Sequence, residues 1–252
     1  MRKNRYTEFK ELHYQTDVLY LFNCWDVMSA KIIENKGAKA LATSSYAVSD
    51  ANGYTDGEYL PFENLLQLSE KLVQNSNVPV SIDAEGFYAQ SSELLHQNAQ
   101  KLFGTGITGV NFEDQKPQSK EYALWSVDEQ SERIRILKSA AEDVDTEIFI
   151  NARTDVFFKN KNHSVELVNE ALNRAESYAL AGADCIFIPG LTEISLIKEF
   201  TKHSPLPVNI MLNSFNSSSI DWRSLGVNRV SYGPHSYFQM KETLLSNLVF
   251  KV

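Results

Sequence analysis

The feature that most constrains this chain is an alternation of two hydrophobic periods, repeated along its whole length. Short apolar runs fall near 18–24 (VLYLFNC), 40–46 (ALATSSY), 78–84 (VPVSIDA), 109–113 (GVNFE), 148–153 (IFINAR), 185–189 (CIFIP), 207–212 (PVNIML) and 229–233 (RVSYG). Between and after them lie stretches with helical spacing: 27–36, 62–76, 91–103, 127–142, 164–181, 192–203, 217–225 and 236–250. Gly or Pro often marks a junction, as in NKGAKA, LAGADC and SLGVNRV. Eight strands alternating with eight helices demand a parallel sheet, and eight is the number that closes a (β/α)8 TIM barrel. The rival, a doubly wound open sheet, usually carries a Gly-rich first turn, whereas the turn after the first run here reads NCWDVMSA. The chain is therefore expected to be a single (β/α)8 barrel domain over residues 1–252.

Charge limits the partners. The net charge of −8 and the absence of a basic tract argue against nucleic acid, because phosphates would go unneutralised. A small anionic metabolite stays open, since one local cation supplies the attraction. The two cysteines, Cys24 and Cys185, each lie in an apolar run and read as reduced core thiols. VLYLF at 18–22 is too short for a signal core or a membrane span, so a cytoplasmic location with no membrane contact is expected.

In such barrels the strand C-termini and the loops after them carry the chemistry. Seven strand exits there are rich in polar groups: FNCWD (22–26), TSSY (43–46) with its following loop GYTDGE (53–58), SIDAEG (81–86), NFED (111–114), NARTD (151–155), NIMLN (209–213) and SYGPHS (231–236). Side chains two apart on a strand share a face. Asp83 and Glu85, Asn111 and Glu113, and Asn151 and Arg153 are such pairs. If these faces point inward, Asp83, Glu85, Glu113 and Arg153 converge on the mouth. Any one of them alone reads as half of a structural ion pair. As a set, three carboxylates against one guanidinium leave excess charge that costs several kcal/mol per uncompensated ion, and a divalent cation removes that excess. Oxygen donors without His or Cys suit Mg2+ or Mn2+, and Arg153 would then face the anionic end of a substrate.

Other chemistries find less support. None of the runs ends in a lysine for a Schiff base, and no G-x-S-x-G occurs. His13, His96, His163 and His203 fall in or beside helical stretches and read as surface residues; His235, just past the last strand, is a weaker ligand candidate. Ser44 and Ser45 either offer backbone N–H groups and hydroxyls to an anion or pack under a loop.

The segments NCWDVMSAKIIENKGAKALATSS, GYTDGE, SIDAEGFY, GVNFED, INARTD and GADCIFIPG resemble the phosphoenolpyruvate mutase/isocitrate lyase superfamily, in order and spacing, from about residue 18 to 235. The likeness is to its small single-domain members, of 2-methylisocitrate lyase or phosphonopyruvate hydrolase type. It implies a barrel whose C-terminal helix is exchanged between subunits of a homodimer or homotetramer. It also implies Mg2+ or Mn2+, and a lyase or hydrolase that cleaves a C–C or P–C bond beside a 2-oxo or 2-hydroxy acid through a metal-stabilised enolate. Carried over residue by residue, Asp83 is the direct metal ligand, with Asp56, Glu85 and Glu113 reaching the metal through water. Ser44 and Ser45 hold the pyruvyl carboxylate beside Trp25, Arg153 grips the second anion, and Asn213 belongs to the substrate-binding set. Arg153, Asp56 and Glu113 form the catalytic group.

The sequence departs from the pattern where the lyases place their acid–base thiol, a Lys-Cys-Gly-His motif. EDQKPQSKEYALW (113–125) has no Cys, Gly or His, and offers Lys116, Gln118, Ser119 and Lys120 instead. GFY replaces the usual Gly-Tyr-Gly after the acidic pair, and strand 6 ends in IPG without a histidine. Two alternatives therefore remain: a phosphoenolpyruvate mutase or phosphonopyruvate hydrolase, and a barrel that binds metal and 2-oxo acid without turnover.

Overall fold

The computed structural model describes residues 5–117, 123–160, 162–213 and 220–248. Its strands are β1 (Leu19–Leu21), β2 (Asn23–Cys24), β3 (Leu41–Thr43), β4 (Val80–Asp83), β5 (Gly109–Glu113), β6 (Phe149–Arg153), β7 (Cys185–Phe187), β8 (Val208–Met211) and β9 (Arg229–Ser231). They form one sheet in the order β1-β9-β8-β7-β6-β5-β4-β3-β2, with parallel pairing throughout. Only Phe22 separates β1, which pairs with β9, from β2, which pairs with β3. The first apolar run is thus one barrel stave broken at Phe22, and the sheet closes nearly into the expected TIM barrel.

The helices are α1 (Arg5–Leu12), α2 (Val27–Asn35), α3 (Ser45–Ala51), α4 (Phe62–Gln74), α5 (Ser92–Gly104), α6 (Val127–Asp143), α7 (Val156–Lys159), α8 (Val165–Ala181), α9 (Ile194–His203) and α10 (His235–Asn247). Local chemistry sets several starts. Asp26 and Ser126 each accept a backbone N–H of the first turn in reciprocal capping boxes, and Ser91 caps α5. Gly182 at φ +107 ends α8 in the left-handed conformation that glycine adopts without steric cost.

Period 2 divides the strand residues into two populations. Val80, Ile82, Val110, Phe112, Ile150, Ala152, Ile186, Val208, Ile210 and Val230 belong to the main hydrophobic core. Their neighbours Asn111, Asn151, Asn209, Arg229 and Ser231 are also buried, and form a polar layer of the opposite parity. Cys24 is a core thiol, as expected, and burial pushes its pKa up to about 12.

Two expectations are corrected. His13 is buried, not at the surface. The unpredicted helix α1 brings Phe9 edge-on to Phe149, and the His13 ring stacks on Phe149 with centroids 4.3 Å apart while Nδ1 bonds the Phe9 carbonyl at 2.8 Å. Desolvation takes its pKa down to about 3, so the ring is neutral. The helical spacing at 217–225 also does not give a helix in its described part. Residues 222–226 form a turn that buries Trp222 and ends on Gly226 at φ +82. His96, His163 and His203 are half-buried or exposed, as a surface reading requires.

Candidate active site

The register of β4, β5 and β6 sets the site. Asp83 lies opposite Asn111, and Glu113 opposite Arg153, at the C-terminal ends of adjacent strands. Asp83 accepts a hydrogen bond on each oxygen: Asn111 Nδ2 donates to Oδ1 at 3.2 Å, and the Ser45 backbone N–H to Oδ2 at 3.0 Å. Ser45 opens α3 behind Ser44, whose hydroxyl caps that helix. The Ser45 hydroxyl also bonds Asp56, the side chain that the loop after α3 swings back toward the strand ends. Ser45 therefore serves Asp83 and Asp56 directly, while Ser44 fixes the start of the helix.

Glu85 is buried, and its Oε2 accepts the Glu58 N–H at 2.9 Å. Desolvation, then the charges of Asp56, Asp83 and Glu58, raise its pKa well above the ordinary carboxylate range. Burial likewise raises Glu113 well above that range despite Arg153, whose Nη1 lies 2.8 Å from Glu113 Oε2. Asp56 is raised by burial and by Asp83, and its Oδ1 is buried with no partner. Burial opposes the charge on Arg153, but Asp155 and Glu113 more than offset it and hold its pKa above the usual value.

The loop after β4 is held in an unusual conformation. Glu85, Phe87 and Tyr88 take positive φ of 51°, 64° and 54°, and Glu58 opposite takes 64°. Such L residues each cost of order 1–3 kcal/mol and persist only where their surroundings fix them. Two side chains supply that here. The Glu58 carboxylate accepts the N–H of Tyr88 at 2.6 Å and that of Gly86, while Arg133 on α6 donates to the carbonyls of Gly86 at 2.9 Å and Ala89 at 3.1 Å. GFY in place of Gly-Tyr-Gly thus runs left-handed through Phe87 and Tyr88, with a tyrosine where the resemblance expects the second glycine.

Trp25 is buried against Ala47, Val48, Leu60 and Tyr237 of α10, with the two aromatic rings edge to face. It thus packs on the helix that Ser45 opens. Asn213 follows β8 on an exposed stretch, and no described contact joins it to the carboxylates. His235 begins α10, half-buried. Of the loop candidates, Lys116 lies over the Trp125 ring at 4.4 Å; Gln118, Ser119 and Lys120 lie outside the described residues.

Sequence reasoning missed four residues of the site and its support: Glu58, Asp114, Arg133 and Asp155. Asp114 and Asp155 follow the noted carboxylate and arginine in NFED and NARTD, so the strand-end rule could have found them. Glu58 was quoted within GYTDGE without a role. Arg133 left no signal, since it lies mid-helix.

The donor set fits a small hard cation that keeps part of its water shell. Among the described residues no three His, Cys, Asp or Glu side chains already close into a set that would hold an ion by themselves. Yet burial and mutual repulsion disfavour ionising Glu85 and Glu113 without a cation, and Asp56 keeps a buried, partnerless oxygen. The large apolar groove of about 470 Å³ between α1, β1 and α2 lies at the other end of the barrel, lined by Leu12, Leu19, Ile32 and Ile33.

Comparison with known proteins agrees with this geometry. Residues 9–249 match the family model described as phosphoenolpyruvate phosphomutase. A protein of Burkholderia cenocepacia J2315, provisionally called a phosphonomutase, is 38% identical with a TM-score of 0.91, over 97% of this chain and 98% of its own. The phosphoenolpyruvate phosphomutase of Tetrahymena pyriformis is 26% identical over 91% of this chain and 78% of its own. The 2-methylisocitrate lyase of Bacillus subtilis is 23% identical over 89% and 74%. A phosphonopyruvate hydrolase solved with oxalate and Mg2+ shares the fold at 18% identity, with a TM-score of 0.84 over 96% of this chain and 85% of its own.

Proposed function

The chain belongs to the phosphoenolpyruvate phosphomutase family, within the phosphoenolpyruvate mutase/isocitrate lyase superfamily of mutases, lyases and hydrolases, and from that membership we propose that it is a divalent-cation-dependent enzyme that cleaves a C–C or P–C bond beside a 2-oxo or 2-hydroxy acid. The observation that carries the reading is the ring of Asp56, Asp83, Glu85 and Glu113 at the strand ends, facing an arginine held in place by Asp155.

Asp83 would hold Mg2+ or Mn2+ directly, with Asp56, Glu85 and Glu113 bonding its water. When bound, such a cation supplies Lewis acidity to a 2-oxo oxygen. The protein's own part is orientation and charge. Arg153 spends three of its five N–H groups on Asp155 and Glu113, which leaves two to grip the substrate's distal anion. Binding one anion at a fixed guanidinium turns a bimolecular encounter into an aligned one. Ser44 and Ser45 at the start of α3 stand where the resemblance puts the near carboxylate, and Trp25 packs on the same helix. Glu113, made basic by burial, stands beside Arg153 where a proton could be held at Oε2.

The relatives named as mutase and hydrolase favour a second reading within the same site, in which Arg153 grips a phosphoryl group. In both, the exposed Leu244, Leu245 and Leu248 on and just after α10 support a homo-oligomer built on this helix.

The test is incubation with Mg2+ and a panel of oxaloacetate, malate derivatives, isocitrates and phosphonopyruvate, followed by assay for 2-oxo acid or phosphate. Product from one substrate is expected, and its identity separates C–C from P–C cleavage. No product, together with no binding of oxalate in Mg2+, would refute the reading.

A further inference from the structure

Inside the barrel lies a second arginine that the site as described does not use. Arg229 on β9 is wholly buried. Its Nε donates to Ser231 Oγ at 3.3 Å and its Nη2 to Asn111 Oδ1 at 3.4 Å, while Nη1 is buried with no partner. Both acceptors are neutral. A buried guanidinium without a carboxylate in contact is strongly disfavoured, so its charge needs compensation from further away. Desolvation lowers its pKa to about 10, and Cys185 and Asp83 act against that fall. Cys185, its own pKa pushed up to about 12 by burial, is a neutral thiol at neutral pH. That leaves Asp83, the one carboxylate of the two.

The geometry supplies the connection. Asn111 Oδ1 accepts from Asn151 Nδ2 at 2.8 Å as well as from Arg229, which fixes the orientation of its amide. The opposite end of that amide, Nδ2, must then face Asp83 Oδ1. A path of two hydrogen bonds runs from the guanidinium through a neutral amide to the carboxylate, one layer beneath the acidic ring.

We propose that Arg229 is a positioning residue and internal countercharge for that ring, acting on Asp83 through Asn111, which stabilises the ring before a cation binds and weakens its affinity for Mg2+. The inference rests on the reading of Asp83 as the cation's ligand. Its sign follows from charge alone. A positive group below the ring reduces repulsion among Asp56, Asp83, Glu85 and Glu113 in the free protein and repels an arriving cation. Removing it makes the free protein less stable and cation binding tighter. A role in packing alone would lower stability equally with and without Mg2+, and would not tighten binding.

The experiment titrates Mg2+ alone into wild type, R229Q and R229K by calorimetry, and records thermal unfolding of each with and without saturating Mg2+. R229Q is expected to bind Mg2+ on the order of tenfold tighter than wild type. It should unfold at lower temperature without the ion, and recover most of that loss with it. R229K, which keeps the charge, should stay close to wild type in both measurements. An R229Q that folds only in Mg2+ also supports the inference. Equal or weaker Mg2+ binding by R229Q, a stability loss independent of Mg2+, failure to fold in either condition, or an R229K that behaves as R229Q would each overturn it. If wild type itself binds no Mg2+, what fails is the cation reading of Asp83 beneath it.

Discussion

Arg153 grips Asp155, two residues further along the same strand exit, through two hydrogen bonds: Nε to Oδ1 at 2.6 Å and Nη2 to Oδ2 at 2.8 Å. The fork matches the carboxylate edge, so the guanidinium plane is set before any ligand arrives. Glu113 takes Nη1 from the neighbouring strand. The arginine that faces the mouth is thus held on one edge and open on the other.

Asp155 is fully buried, so breaking its pair leaves a desolvated guanidinium with Glu113 alone. Asp155→Ala is expected to cost about 3–5 kcal/mol of stability, read by denaturant unfolding. It should also weaken oxalate binding in Mg2+ by roughly tenfold, because an arginine free to rotate no longer presents its open edge. Unchanged oxalate affinity in a folded Asp155→Ala protein would show that Arg153 needs no such brace.

Behind that pair stands Asp114. Its Oδ1 accepts the Asp155 N–H at 3.0 Å, and its Oδ2 accepts Arg174 Nη1 at 3.0 Å and the Tyr178 hydroxyl at 2.8 Å. Asp114→Asn replaces a charge fully desolvated beside Arg174 and is expected to destabilise by about 3 kcal/mol. Tyr178→Phe should cost about 1–2 kcal/mol for a buried hydroxyl bond. Because both act on one oxygen, the double variant should lose clearly less than the two costs combined. Additive losses in urea titrations would separate the two residues.

The barrel was legible because period 2 and helical spacing alternate along the sequence, and the outer strand faces are uniformly apolar. The strand-end rule also pointed to Asp83, Glu113 and Arg153, and the register sets Asp83 opposite Asn111 and Glu113 opposite Arg153 at neighbouring strand ends. What it could not supply was counting across elements. Arg229 starts a strand, which placed it away from the mouth, yet barrel closure sets it beneath Asn111. Arg133 and Glu58 act on the backbone of a loop distant in sequence, and no local pattern encodes that pairing. His13 was misplaced for the same reason. Only α1 laid against β6 buries the ring.

Gly109 marks where that N-terminal helix meets the barrel interior. A Cβ there would lie 3.0 Å from Phe9 Cε1 and 3.0 Å from the Phe149 carbonyl oxygen, the second of which is backbone and cannot give way cheaply. Gly109→Ala is therefore expected to destabilise by about 1–3 kcal/mol through overpacking. Mg2+ affinity should be unchanged, since the strain sits at the opposite end of β5 from Glu113. A thermal shift with unaltered Mg2+ titration would bear this out; a change in Mg2+ binding would contradict it.

The raised carboxylates set a pH dependence with a definite sign. Glu85 and Glu113, displaced upward chiefly by burial, hold protons in the folded protein at pH values where the unfolded chain has released them. The native state then binds more protons, and stability falls as pH rises. This contribution is complete below their ordinary pKa of 4.5 and is lost as pH climbs through the raised folded values. Asp56 and Glu58 act in the same direction. A cation at the ring favours the ionised forms, so its binding must expel protons and strengthen as pH rises from the acidic range toward neutrality. Calorimetric Mg2+ titrations in buffers of different ionisation enthalpy would read that release directly, and thermal unfolding without Mg2+ would read the opposing trend. Mg2+ binding that neither releases protons nor tightens with pH would mean that Glu85 and Glu113 are not among the groups that answer the cation.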